Sequence, residues 1–459
     1  MADNPCEPTS GRRRHRVIGG CALPGAAMLL ALAGCTLYSP LPLEAPPGVQ
    51  APLTVPASTM LPGGLASHPF DPSDGLDVTE VAMLAVVYSP ELRVMRAQAK
   101  VTRAQAFAAG LLPDPVFGLS RDRPDAGQQG ASTAYTRGVS WDFSQLVTYA
   151  SRQSARRHTD EQVDLALLWG EWQVVARARL LFVHIQHGRE LVARLGVESD
   201  ALQPLRPALA AALVQGTVTF DVATTGLSAV TDMEHQLADA RSALLTAEQD
   251  LRELLGLAAD EPLPLAGDGG VVAPDAAALR AILDESPPRR PDLRALAAGY
   301  RAQEARVRAA ILGQFPALNF GLTRTRDNSD IASSGFTLSV SLPLFDRNQG
   351  AIRVEQATRE ELRAEYAQRM LTAHADVARL LGAQQILAER EATLAPYVRS
   401  LDAKVARAAD AYRDGVLEWT VYLGLRQSAA AAATDLITLR DLLAQTRISL
   451  ATLTGAWPG

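Results

Sequence analysis

The feature that most constrains this chain is that its body is written twice. Pro90-Glu91-Leu92-Arg93 opens a segment ending at Pro115, and Pro291-Asp292-Leu293-Arg294 opens one ending at Pro316; laid together without gaps, nine of 26 positions are identical. Farther along, Gly216 and Gly256 stand 40 residues apart, and so do Gly415 and Gly455. The later members close leucine-rich endings, Leu254-Leu255-Gly256 and Leu453-Thr454-Gly455. Two landmarks with nearly equal offsets define a repeat of about 200 residues, so one supersecondary unit is used twice.

Each copy has the same order: a helix, two short strands, a very long helix, a glycine turn and a second long helix. In Phe336-Thr337-Leu338-Ser339-Val340-Ser341-Leu342 the odd steps are apolar and the even steps are hydroxyls, the pattern of a two-sided strand. Leu318, Phe320 and Leu322 alternate with Asn319, Gly321 and Thr323, and Val139, Trp141 and Phe143 with Ser140, Asp142 and Ser144, while residues 116–121 match more weakly. Strands with one apolar face and one small, polar face suit a membrane barrel with a wet lumen, and the polar stretches 122–133 and 325–334 are then external loops. Four strands are too few to close a membrane barrel, for which about eight are needed, so such a chain must oligomerise. Residues 148–214 and 350–413 have helical composition over roughly 65 positions each, about 100 Å at the helical rise. Pro204, Pro207 and Pro396 are expected to kink or break them.

The N-terminus reads as an address. Arg12-Arg13-Arg14-His15-Arg16 precedes an apolar stretch at 17–34 that ends in Leu32-Ala33-Gly34-Cys35, so residues 1–34 read as a signal peptide, with a short transmembrane anchor as the other reading; the ending resembles the bacterial lipobox, which implies that Cys35 becomes the first mature, lipidated residue. Thr36 after the cysteine favours the outer membrane in that sorting pattern. Residues 35–75 are a Pro-rich arm, 76–256 the first repeat, 257–290 an inter-repeat segment and 291–459 the second repeat, with strands near 116–122, 134–144, 317–325 and 335–343 and turns near 216 and 415.

Composition excludes several functions. The formal charge is -6, which speaks against a nucleic-acid binder. Lys100 and Lys404 are the only lysines and sit in no Walker or Schiff-base setting, and Cys6, Cys21 and Cys35 all precede the body. His184-x-x-His187 shares a helix face but has no carboxylate or cysteine at ligand spacing, so the expectation is a structural pair, no metal, no cofactor and no enzymatic activity.

The doubled openings (Ser89-Pro90-Glu91-Leu92 and Arg290-Pro291-Asp292-Leu293), the post-strand block from Ser341 to Gly350, and the Tyr412-x-x-Gly415 turn resemble the TolC family of outer-membrane efflux channels. The resemblance implies a mixed α/β membrane protein: a homotrimer whose 12-stranded β-barrel in the outer membrane continues into a long periplasmic α-helical barrel, girdled at mid-length by the inter-repeat segment and the C-terminal residues. It implies passive conduction of solutes handed over by a periplasmic membrane-fusion adaptor and an inner-membrane RND-type transporter. Gly216, Thr219 and Asp221, with Tyr412, Gly415 and Glu418, match the tips that meet the adaptor. The aspartates that often follow the second tip are replaced here by Val421, Tyr422 and Gly424, which leaves Asp221, Asp414 and Glu418 as gate candidates. The block from Pro343 to Gly350 looks like that of channels paired with heavy-metal pumps, with drugs or a secreted protein as other cargo. A non-conducting periplasmic scaffold lipoprotein is the competing expectation.

Overall fold

The computed structural model describes residues 38–43, 53–55, 61, 63–125, 132–267 and 290–455. The signal segment, Cys35 and most of the inter-repeat segment lie outside the described residues. The chain divides into two units, Met1–Pro47 and Gly48–Gly459. In the first, residues 38–43 are irregular and exposed.

The second unit begins with two short 3-10 turns and helix α1 (Val78–Tyr88). Asp77 caps α1: its Oδ1 accepts from the Thr79 and Glu80 amides at 2.7 Å, and Glu80 returns a bond from the Asp77 amide at 2.9 Å. This reciprocal box satisfies amides that a helix start leaves unpaired. Helix α2 (Pro90–Gly110) starts with Pro90 in its first turn, where the missing N–H costs nothing. The first repeat continues with β1 (Val116–Asp122), β2 (Ala134–Asp142), α3 (Ser144–Leu202), α4 (Leu205–Val214) and α5 (Phe220–Leu254). The second repeat has α6 (Pro291–Leu312), β3 (Leu318–Arg326), β4 (Ala332–Val340), α7 (Gln349–Arg413) and α8 (Trp419–Thr454). The protein is thus mostly helical, with one antiparallel four-stranded sheet ordered β1-β2-β3-β4 and a duplicated unit.

Two features differ from the sequence expectation. β4 starts at Ala332 and ends at Val340, because Ala332, Ser333 and Ser334 pair with Arg326, Thr325 and Arg324 although they carry no apolar alternation. The connection read as a loop over 325–334 is therefore a tight turn, closed by the Asp327 amide on the Ile331 carbonyl at 3.1 Å. Of the three prolines, Pro204 marks a break as expected, Pro207 falls in the first turn of α4, where it is tolerated and adds no further break, and Pro396 lies inside α7 without ending it.

Helix α3 is the hub, packing against α1, α2, α5, α6 and α8. The largest core lies where α1, the start of α2, α3, the end of α5 and α8 converge, around Leu84, Leu92, Phe182, Ile185, Leu251 and Ile448. Leu257 and Leu263 join it, so the start of the inter-repeat segment packs on the first repeat. A second core, with Leu195, Leu202, Met233 and Leu423, binds α3, α5 and α8 nearer the turns. No helix among the described residues is long and apolar enough to cross a membrane.

Candidate functional site

The register sorts the sheet into two chemically different faces, since residues paired across strands project to the same side. One face carries Val116, Gly118, Ser120, Thr136, Gly138, Ser140, Asn319, Gly321, Thr323 and Thr337, and these, with Leu119 and Val139 between them along the strands, line a hollow of about 440 Å³. Curling the sheet around small residues makes this face concave. A Cβ added to Gly138 would come within 2.9 Å of the Leu322 carbonyl, so a larger residue there would push β2 and β3 apart.

The opposite face is convex and apolar toward the helices: Leu318, Phe320 and Leu322 pair with Val340, Leu338 and Phe336, and all six are exposed. Along its helix-proximal margin Trp141 and Phe143 meet edge to face at 4.6 Å, and Phe320 follows at 6.4 Å from both Phe143 and Phe336. β1 and β4 are open edges with every residue exposed.

The far ends of the long helices form the second part of the site. Both turns close in the same way. Gly216 has φ of +67° and Gly415 φ of +71°, and in each the next amide returns to the carbonyl five residues back: Thr217 to Ala212 at 3.0 Å, Val416 to Ala411 at 2.9 Å. This is the Schellman ending, and it needs a left-handed residue that glycine supplies without steric cost. Thr219 then caps α5, its Oγ1 accepting from the Val222 amide at 3.4 Å. Asp221 lies in the first turn of α5, Asp414 at the end of α7 and Glu418 just before α8, all three exposed. None of the three has an ion-pair partner among the described residues. Val214, Phe220 and Val416 project apolar side chains from the same turns.

The charge that ties these helix ends together lies roughly three to five helical turns from the glycines, on residues the sequence does not single out. Arg426 of α8 donates Nε and Nη2 to Glu198 Oε2 of α3 at 2.9 and 2.6 Å, and Nη1 to the Tyr422 hydroxyl at 2.8 Å. Tyr422 stacks on Tyr412 of α7 at 5.1 Å, and Arg194 bridges Glu198 at 3.4 Å and Asp402 of α7 at 2.7 Å. Three helices are therefore clamped by two arginines and two tyrosines around a buried carboxylate. Close by, Trp419 fills a notch at Gly226 of α5: a Cβ on Gly226 would lie 2.7 Å from the indole and 2.5 Å from Leu209. The doubled glycine spacing marks the turns, but no sequence pattern links Glu198 to Arg426 or Gly226 to Trp419.

The histidine pair also reads differently in three dimensions. Asp441 of α8 places a carboxylate 2.8 Å from His184 Nδ1 and 3.7 Å from His187 Nδ1, which the sequence reading did not anticipate. The hydrogen bond to Asp441 raises the His184 pKa above its usual value. No group of three or more His, Cys, Asp or Glu placed to hold a metal occurs among the described residues.

Residues 282–456 match the family model described as outer membrane efflux protein. A relative named cation efflux system protein CusC, from Escherichia coli O6:H1, is 27% identical over 180 residues, 37% of this chain and 39% of that protein; the match thus spans about two fifths of the relative's length. The fold extends much farther. A crystal structure of CusC superposes with a TM-score of 0.68 at 18% identity over 90% of this chain and 98% of the other. The open state of the Neisseria gonorrhoeae MtrE outer membrane channel does so with a TM-score of 0.67 at 17% identity, over 92% and 98%. The second repeat carries the outer membrane efflux protein pattern, and the chain has the fold of outer-membrane efflux channels.

Proposed function

We propose that this chain is one subunit of a homotrimeric outer-membrane channel that passively conducts efflux substrates, each copy contributing four strands to a 12-stranded barrel. One observation carries the reading. The sheet has two open edges, an exposed apolar face and a concave face of Gly, Ser, Thr and Asn. In water such a sheet would expose both its apolar face and its unpaired backbone; joining β1 of one copy to β4 of the next pairs the edges, turns the apolar face to lipid and leaves a polar lumen. The 12-strand count follows from three copies, which the efflux-channel fold supports.

On this reading α3, α5, α7 and α8 extend the conduit away from the membrane. The turns at Gly216 and Gly415, with Val214, Phe220, Val416, Thr219 and Glu418, meet a periplasmic adaptor that links the channel to an inner-membrane RND-type transporter. The Arg426–Glu198–Tyr422 clamp holds the helix ends in a closed arrangement, so the gate rests on it, with Asp221, Asp414 and Glu418 as acidic positions at the mouth. Cys35 carries the lipid that adds a second membrane anchor. The relative's name, a cation efflux system protein, favours a metal cation as cargo, with the transporter setting selectivity and drugs as the other class.

Conductance of the purified chain in planar bilayers tests the proposal, together with its native mass. A trimer with small, closed-state conductance that rises on Arg426→Ala is expected. A monomer that leaves the membrane without detergent and forms no pore, even with Arg426 replaced, would sink it in favour of a periplasmic scaffold.

A further inference from the structure

The convex face is not apolar over its whole height. Successive rows run Leu338–Phe320–Trp141, then Phe336–Leu322–Val139–Phe117, then Ser334–Arg324–Arg137–Leu119, and last Ala332–Arg326–Tyr135–Arg121. Four arginines thus occupy the two rows farthest from the helices, on the same side as the leucines and phenylalanines. They do not face the concave hollow, whose lining is uncharged. Arg326 is paired with Asp330 of the turn at 2.5 Å, and Arg121 lies over the Tyr135 ring at 5.8 Å. Arg137 and Arg324 sit side by side in the register and have no ion-pair partner among the described residues. They line a cleft of about 530 Å³ with Leu119, Tyr135, Thr325, Ala332 and the Arg326–Asp330 pair.

The arrangement is lopsided. At the helix-proximal margin the convex face ends in Trp141, Phe143, Phe320 and Phe336, rings suited to a membrane interface; at the other margin it ends in guanidinium groups. Rows two residues apart are about 7 Å apart along a strand. The Arg324–Arg137 row is therefore roughly 20 Å along the strands from the row of Leu318 and Val340, and less than that along the membrane normal once the strands tilt. With Leu342, Leu344 and Phe345 exposed below, the apolar band approaches the roughly 25 Å expected of a barrel, and the arginines fall at its outer boundary. Two adjacent guanidiniums without an ion-pair partner, in a polar cleft whose one carboxylate, Asp330, is held by Arg326 and which borders the apolar rows, match a phosphate whose acyl chains lie along the barrel wall, and guanidinium takes phosphate bidentately.

We infer that Arg137 and Arg324, flanked by Arg121 and Arg326, form a site on the lipid-facing wall for a lipid carrying phosphate monoesters in the outer leaflet, one site per subunit. The inference rests on the channel reading, which turns this face toward lipid. The phosphate is held by the two central arginines, Tyr135 and Leu119 take the first part of the lipid, and the leucine and phenylalanine rows below receive its acyl chains. Arg326 keeps its partner Asp330 and anchors the turn.

The test titrates the full-length chain in detergent with diphosphoryl lipid A and with the same lipid stripped of its phosphates. Native mass spectrometry reports bound lipid and oligomer together, and bilayer conductance is measured in parallel. The phosphorylated form should be held at least about tenfold more tightly. The Arg137→Gln, Arg324→Gln double variant should lose that preference with trimer mass and conductance unchanged, and the corresponding Lys double variant should retain part of it. Equal retention of the two lipids, or a preference that survives the Gln substitutions, overturns the site while leaving the channel intact. Displacement of the lipid by inorganic phosphate at matched concentration makes it a free-anion site and overturns the lipid assignment. A wild-type chain with neither trimer nor conductance overturns the channel reading, and this proposal with it.

Discussion

Helices α3 and α7 hold equivalent places in the two repeats, yet they live in different surroundings. Along the 59 residues of α3, 17 are buried; along the 65 of α7, five are. Helix α3 is wrapped by five neighbours of its own chain, whereas α7 packs along α6 and α8, meets α3 through the Arg194–Asp402 ion pair, and leaves Leu371, Ile386 and Tyr397 exposed. A duplicated sequence therefore does not give duplicated roles: one copy of the long helix is the axis of the subunit and the other is its flank. On the trimer reading, the flank is what a neighbouring subunit covers. The helices also differ in continuity. Pro204 and Pro207 remove two backbone donors within four residues, and the chain breaks between α3 and α4; Pro396 removes one, and α7 runs on.

The comparison can be broken most severely at the axis. Phe182 is fully buried in the main core, so Phe182→Ala should lower the unfolding free energy of the detergent-solubilised chain by about 3–5 kcal/mol in denaturant titration. Leu371→Asp on the exposed flank should leave that midpoint of the isolated subunit nearly unchanged while lowering the trimer fraction by native mass; an equal loss of stability at both positions would refute the division into axis and flank. Next in size, Arg399→Pro would place a second proline three residues after Pro396 and copy the spacing that breaks the first repeat. The expected cost is about 3 kcal/mol and a drop in helical circular dichroism. If α7 tolerates it, the paired-proline account of the break at Pro204 is wrong.

A smaller effect is expected where α8 holds a buried carboxylate of the axis helix α3. Arg426→Ala leaves Glu198, which is 4% exposed, with only the longer 3.4 Å contact to Arg194, and should destabilise the chain by about 2–3 kcal/mol, since a poorly compensated buried charge is costly. The same variant should open the conduit, so stability falls as conductance rises. The smallest effect belongs to His184. Its bond to Asp441 raises the folded-state pKa above the usual 6.5, so the protonated histidine is favoured by folding. That contribution is fully present below pH 6.5 and fades as pH climbs through the raised value. Because His184 is about half exposed, the amplitude should stay below about 1 kcal/mol. The pH slope of the denaturation midpoint between 6 and 8 should flatten in His184→Gln, and an unchanged slope would assign it to another group.

Much of the fold was legible because it is built from local periodicities. The strand alternation from Phe336 to Leu342 foretold a two-faced sheet, and the glycine offsets foretold paired turns, since left-handed helix endings favour glycine. What stayed hidden depends on contacts between distant segments. Asp441 reaches His184 across 257 positions and Arg426 reaches Glu198 across 228, and neither helix shows a motif for its partner. Gly226 looks like an ordinary helical glycine until Trp419 is seen lying in its notch. β4 began earlier than expected because Ser333 and Ser334 belong to the sheet through backbone pairing, which leaves no apolar signature.

The open edges of β1 and β4 bear on inheritance as well as on assembly. If each seam of the channel joins β1 of one copy to β4 of another, any substitution that spoils an edge recurs at every seam, and a single faulty copy is enough to leave the wall incomplete. A cell making the altered and the normal chain in equal amounts would then build mostly mixed trimers. Lesions at either edge should behave as dominant, whereas lesions that merely unfold the core around Phe182 should be recessive, because those chains never reach a neighbour.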